Sequence, residues 1–270
     1  MKPARFLHLV AHRGDAAGNP ENTLPALQSA LDLGVRFIDV DVQLAANGVA
    51  VIARGHDVPG GTNDQTIAEL TAAELSQVDA SEPARFGDTF KGTCIPRLVD
   101  ALSLLTRRPE TTVFVTIGRA SLARFGHDQV VAQVAETLKP FKSRCIVVSA
   151  DLPAVHRARQ IAGFQIGWAL PAYDNHTRLK YEALQPEYLF CDWALLPNEG
   201  ALWRGPWRWV IREVPTLAVA LQLADRGADF VATANVRELS EAMHAHAAAQ
   251  TRTGDTTTLA DDTTTVARAD

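Results

Sequence analysis

The chain has 270 residues, 47% of them hydrophobic and 21% charged, with a formal net charge of −5. That balance describes a globular chain with material for a large core, and it argues against a nucleic-acid protein, which would carry a basic face. No apolar run approaches the roughly 20 residues that span a bilayer, and the amino-terminal stretch turns polar at Arg13 and Asp15, too early for a signal peptide.

In chain order, the apolar pattern predicts a strand at Leu7–Ala11 and then a helix at Thr23–Leu33, with Leu24, Leu27, Ala30 and Leu31 on one face. Strands follow at Phe37–Val42 and Val49–Ala53. An insertion then runs from Arg54 to Lys91, with a turn-rich stretch Pro59-Gly60-Gly61-Thr62-Asn63-Asp64. Beyond it come a strand at Thr112–Ile117, a helix at Asp128–Leu138, a strand at Cys145–Ser149 and a helix at Pro153–Ile161. Strands at Gln165–Ala169, Tyr188–Cys191 and Val210–Val214 precede a helix at Leu217–Arg226, a strand at Phe230–Thr233 and a helix at Val236–Ala248. Repeated alternation of strand and helix implies parallel strands with helical crossovers. The count fits a closed (β/α)8 barrel of the TIM type, with an insertion after the second strand. No Gly-x-Gly-x-x-Gly turn follows a strand, as an open dinucleotide-binding sheet would require. Residues 1–249 are expected to form this barrel. Residues 250–270, dominated by Thr, Asp, Ala and Arg without apolar period, are expected to be a disordered tail.

The three cysteines, Cys94, Cys145 and Cys191, are far apart and lack zinc-site spacing. Cys145 and Cys191, in apolar runs, read as buried small hydrophobes of a reducing compartment, so the cytoplasm is the expected location.

Chemistry in such a barrel sits at the carboxyl ends of the strands. The first strand ends in His12-Arg13-Gly14, and the loop after it carries Asn19-Pro20-Glu21-Asn22-Thr23, with Thr23 placed as a helix N-cap. Asp39 and Asp41 are two apart on the second strand, so both face one side. Two carboxylates there are costly unless a positive group joins them. A divalent cation with oxygen ligands is the simplest partner; Arg36 or Arg54 is the other.

His12-Arg13-Gly14, Pro20-Glu21-Asn22-Thr23, Gly34, the run Phe37-Ile38-Asp39-Val40-Asp41-Val42-Gln43-Leu44 and Asn47-Gly48 together resemble the glycerophosphodiester phosphodiesterase family. The likeness continues through Ile95-Pro96-Arg97-Leu98 and Gly227-Ala228-Asp229-Phe230-Val231. The resemblance implies a metal-dependent hydrolase giving glycerol 3-phosphate and an alcohol, with two histidines as general acid and base and a Mg or Ca ion held by carboxylates. It implies that His12 is the first catalytic histidine, Arg13 the phosphate-binding arginine, Glu21 the glutamate of the Pro-Glu-Asn-Thr motif and Asp41 a metal ligand. Asp39 stands where the family usually has glutamate.

The chain departs from the family in several places. Gap-free spacing puts Arg54-Gly55 where the family has a His-Asp pair, and such a pair follows at His56-Asp57, which an inward bend of the loop would bring to the site. Thr116 replaces a metal-ligand glutamate, Gly118 a lysine, and Arg212 stands at a tryptophan position. A mouth holding Arg13, Arg54 and Arg212 would bind phosphate well, but Arg54 cannot accept a proton. A guanidinium could also pair with Asp39 or Asp41 in a metal's place. His127, His156, His244 and His246 are expected at the surface, and His8 inside the barrel. Asp192 is a candidate substitute ligand, and Trp203, Trp207 and Trp209 are expected to cover the outer helices, with an apolar substrate pocket or a subunit interface as the alternatives. Two functions stay open: a phosphoric diester hydrolase of altered chemistry, or a barrel that binds a phosphoester or a protein through the same mouth without catalysis. A small phosphoester ligand fits both; neither calls for nucleic acid or a transmembrane segment, and the oligomeric state stays open.

Overall fold

Strand β1 (His8–His12), helix α1 (Leu24–Asp32) and strand β2 (Phe37–Leu44) open a computed structural model that describes residues 7–59 and 65–253. Strand β3 (Ala50–Ile52) folds back antiparallel on the end of β2, pairing Val42 with Ile52. Short helices α2 (Ala72–Leu75) and α3 (Pro83–Phe86) lie in the insertion, and α4 (Leu98–Leu104) leads out of it to β4 (Thr112–Ile117). Then follow α5 (Arg119–Phe125), α6 (His127–Leu138), β5 (Cys145–Ser149), α7 (Leu152–Ala162), β6 (Gln165–Ala169), α8 (Asn175–Leu184) and β7 (Tyr188–Asp192). The chain closes with β8 (Arg208–Arg212), α9 (Leu217–Arg226), β9 (Phe230–Thr233) and α10 (Val236–Thr253). Strands β1, β9, β8, β7, β6, β5, β4 and β2 neighbour one another in that order, all parallel, and β1 pairs with β2 to close the ring. The expected barrel and the insertion after its second strand are both present.

Alternate residues of each strand point inward. Val10, Phe114, Ile146, Phe190, Val210, Phe230 and Ala232 fill the barrel as a core of their own, and His8 stacks on Phe230 at 4.9 Å, inside as expected. Gly167 belongs to this packing. A Cβ there would stand 2.6 Å from the Phe190 ring and 3.0 Å from a Val148 methyl. Gly167→Val is therefore expected to destabilise by about 1–3 kcal/mol through overpacking; a urea midpoint equal to wild type would refute the reading.

The outer faces carry the helices. Thr23 caps α1 as expected, its side chain accepting from the Ala26 N–H. Helix α8 escapes the periodic pattern because only Thr177 and Tyr181 are buried on it, while Leu179 is 67% exposed. The predicted strand at Val210–Val214 is shifted: β8 runs from Arg208 to Arg212, and Glu213, at φ +58°, turns the chain out of the sheet. Between β7 and β8 there is no α-helix. A 3₁₀ turn at Trp193–Leu195 and a loop carrying Trp203 and Trp207 replace it. Trp203 stacks on Tyr173 with centroids 3.9 Å apart, and Trp207 meets Tyr181 edge-on at 4.2 Å. The tryptophans thus cover strands a helix would otherwise cover.

The insertion has a small core of Ala45, Val51, Val58, Ile67, Leu75 and Ile95. Cys145 and Cys191 are buried as expected, and burial pushes both thiols up to about 12. Helix α10 continues to Thr253, past the expected start of the tail; the rest of that tail, 254–270, lies outside the described residues, as does the loop 60–64. No described helix is long and apolar enough to cross a membrane.

Candidate active site

His12 is the last residue of β1 and is buried. Directly after it the chain turns sharply, with Arg13 at φ +60° and Gly14 at φ +84°. A Cβ on Gly14 would lie 2.6 Å from the backbone of Ala26, so the close approach of α1 requires the glycine of His-Arg-Gly. The Arg13 N–H donates to the Asp39 carbonyl at 2.8 Å, fixing this strained corner against β2.

The register of β1 on β2 sets His12 opposite Asp39. Asp39 is fully buried, and both its oxygens are engaged: Oδ2 with His12 Nδ1 at 3.0 Å, and Oδ1 accepting from Thr116 Oγ1 at 2.9 Å. Burial alone would raise the Asp39 carboxyl, but the His12 hydrogen bond and charge, with help from Arg212 and Thr116, hold it below the usual range. Asp41 faces the same mouth. Its Oδ2 accepts from Arg13 Nε at 2.7 Å and from Asn22 Nδ2 at 3.1 Å. Arg13 Nη1 also donates to Glu21 Oε2 at 2.9 Å, so Glu21 braces Arg13. Arg54, 63% exposed at the rim, reaches the other Glu21 oxygen at 3.4 Å. Burial would lower the Arg13 guanidinium, but Asp41 and Glu21 hold it firmly charged.

The outward side of His12 meets a residue that the apolar pattern places inside a strand. Glu213 Oε1 lies 3.3 Å from His12 Nε2. Burial would lower the His12 imidazole, but hydrogen bonds to Asp39 and Glu213 raise it from 6.5 to about 9. In turn, the His12 hydrogen bond, opposed by burial and aided by the charges of His12, Arg13 and Arg54, brings Glu213 down to about 2. Glu213 follows directly on β8, and reading it as a strand residue hid it. The usable signal was an acidic residue just before Val214-Pro215, where a strand meeting proline must end.

His12, Arg13, Glu21, Asp39 and Asp41 therefore come together, with Arg54 on their rim. Arg13 takes Asp41 and His12 takes Asp39, while Arg54 reaches Glu21 instead. His56 is not brought in. It is 60% exposed and pairs with its neighbour Asp57 at 3.0 Å, because the loop after β3 runs outward. Asp192 receives Arg212 Nε at 2.9 Å. Gly118 leaves room that the Gln43 amide fills, where Gln43 accepts from Ser121 Oγ at 2.6 Å.

A divalent cation on Asp39 and Asp41 does not fit this donor set. A hard cation asks for six or more oxygens, or for open octahedral positions. Here both Asp39 oxygens and Oδ2 of Asp41 are occupied by the chain's own donors, and a Thr116 hydroxyl stands in place of a third carboxylate. Among the described residues no group of three or more His, Cys, Asp or Glu is arranged to hold a metal.

The model of the glycerophosphoryl diester phosphodiesterase family matches residues 12–163, more than half of the chain. A glycerophosphodiester phosphodiesterase of Caldanaerobacter subterraneus subsp. tengcongensis is 36% identical over 98 residues, covering 36% of this chain and 40% of that protein. Glycerophosphodiester phosphodiesterase 1 of Mus musculus is 27% identical over 124 residues, 46% of this chain and 38% of the relative. The chain thus spans about two fifths of the length of these curated relatives. Among solved structures, an Oleispira antarctica phosphodiesterase in complex with the product sn-glycerol-3-phosphate superposes with a TM-score of 0.75 at 20% identity, covering 88% of this chain and 97% of that one. That likeness concerns the fold, and the matched segment from His12 onward holds every residue of the mouth described above except Asp192, Arg212 and Glu213: the chain belongs to the glycerophosphoryl diester phosphodiesterase family.

Proposed function

We propose that this protein is a phosphoric diester hydrolase acting on glycerophosphodiesters, with its acid–base chemistry concentrated on one histidine. The observation that carries the reading is the buried His12–Asp39 pair at the barrel mouth, beside Arg13. Asp39 orients the ring so that Nε2 faces outward, and charged His12 is a donor at both nitrogens. A phosphodiester resting on Arg13 and Arg54 would place its leaving oxygen near Nε2; as a water oxygen bonds to phosphorus and releases its proton to solvent, the P–O bond to the alcohol breaks and His12 protonates the departing oxygen as general acid. The product sn-glycerol-3-phosphate bound by the Oleispira antarctica neighbour suggests the same class of ligand here. The second histidine implied by the family is not available from His56, so turnover is expected to be slow.

A barrel that binds phosphoester without hydrolysing it draws on that same exposure of His56. Release of glycerol 3-phosphate from glycerophosphocholine and glycerophosphoethanolamine separates the readings, with His12→Ala protein prepared in parallel. Release by wild type alone supports the hydrolase. Equal traces from both proteins, with glycerol 3-phosphate still bound by wild type, would leave the binding reading.

A further inference from the structure

Glu213 sits where an anion would sit. Its carboxylate contacts His12 Nε2 at 3.3 Å, and the charges of His12, Arg13 and Arg54 all act on it. It reaches that place from a left-handed backbone, φ +58°, which a non-glycine residue adopts only when its surroundings enforce it. The next residue is anchored: the Val214 N–H donates to the Ala232 carbonyl at 3.1 Å. Unlike Asp39, Glu213 is half exposed and can leave.

On the other side of the same mouth, a cation's work is already done by the chain. Arg13 binds Asp41 and Glu21 together through Nε and Nη1, neutralising carboxylates that would otherwise call for a metal. Thr116 supplies a hydroxyl donor to Asp39, where a further carboxylate would have added charge.

We propose that this mouth binds a phosphoester without a divalent cation, the phosphate taking the seat of the Glu213 carboxylate on His12, Arg13 and Arg54. The site is then a latched anion site: Glu213 fills it when ligand is absent and swings out when ligand binds. The inference rests on the mouth being a phosphoester site, but not on hydrolysis. It stands if the protein binds phosphate and turns nothing over, and it falls if a cation is required, even for an active hydrolase.

The test is calorimetry on the full chain with inorganic phosphate and with sn-glycerol 3-phosphate, first in chelator and then with millimolar Mg²⁺ or Ca²⁺. Each cation is also titrated alone. The expected result is an affinity that changes by less than about threefold between the conditions, with no saturable heat from either cation. Glu213→Gln removes the competing charge and is expected to tighten phosphate binding by about tenfold, the worth of one charge-assisted hydrogen bond set free. Binding by Glu213→Gln alone, in chelator, would support the same conclusion. Saturable cation binding that Asp41→Asn abolishes, phosphate affinity that appears only with cation, or no phosphate binding by either protein would each overturn it.

Discussion

His12→Ala is expected to lower glycerophosphodiester hydrolysis by about 10²–10⁴-fold, the range for losing a positioned acid or base. The effect should lie near the top of that range. His12 is the histidine at the mouth, while His56 is paired with Asp57 in solvent and cannot take over. The direction of the pH profile follows from the raised imidazole. With Asp39 and Glu213 against it, His12 stays charged up to about pH 9, and a bound phosphate would supply the negative charge that Glu213 gives up. A general acid with that pKa is fully protonated at neutral pH, so activity should hold there and fall as pH rises through about 9. Initial rates between pH 6 and 10 check this. A rate that climbs with pH across the whole range would mean that His12 works as a base or not at all.

Asp39→Ala is expected to cost about 3–5 kcal/mol of folding stability near neutral pH, because it strips a buried imidazolium of its buried partner and leaves it only the half-exposed Glu213. The loss also has a pH signature. His12 is raised on folding, so its pairing stabilises fully below its ordinary value of 6.5 and the gain disappears as pH climbs to about 9. Asp39 is lowered, so its contribution is present above the ordinary carboxyl value of 3.8 and is lost as pH falls below it. Wild-type stability should therefore carry a plateau between about pH 4 and 6.5 that Asp39→Ala lacks. The rise of His12 from 6.5 to about 9 corresponds to about 3 kcal/mol across the alkaline limb. Urea unfolding at pH 5.5, 7.5 and 9.5 measures both effects. A constant difference between wild type and variant at all three would show that the pair contributes packing and not charge.

These residues also show what could be read before the fold was known. The alternation in Phe37-Ile38-Asp39-Val40-Asp41 placed both carboxylates on one face, because strand periodicity is local. His12 and Arg13 were found for the same reason, being adjacent in a compact motif. Which cation would answer which carboxylate was not legible. That depends on the His12–Asp39 register across two strands and on the left-handed turn at Arg13, which swings its guanidinium toward Asp41. Glu213 was harder still. It meets His12 only because β9 lies between β1 and β8 around a closed ring. Helix α8 was missed for a different reason: it buries so little that no apolar stripe records it.

The stretch from β7 to β8 bears on how freely the chain can vary. A helix shares the covering of a barrel among many side chains, so the failure of one is diluted. Here the duty falls on a few aromatic rings, and the glycine between them is already committed, since any side chain on Gly205 would run into the Trp207 ring. Tolerance to substitution should thus be lowest in a segment with almost no regular structure, the reverse of what a surface loop normally permits. A random library over 200–209, scored for soluble yield, would find its scarcest survivors at Gly205 and Trp207.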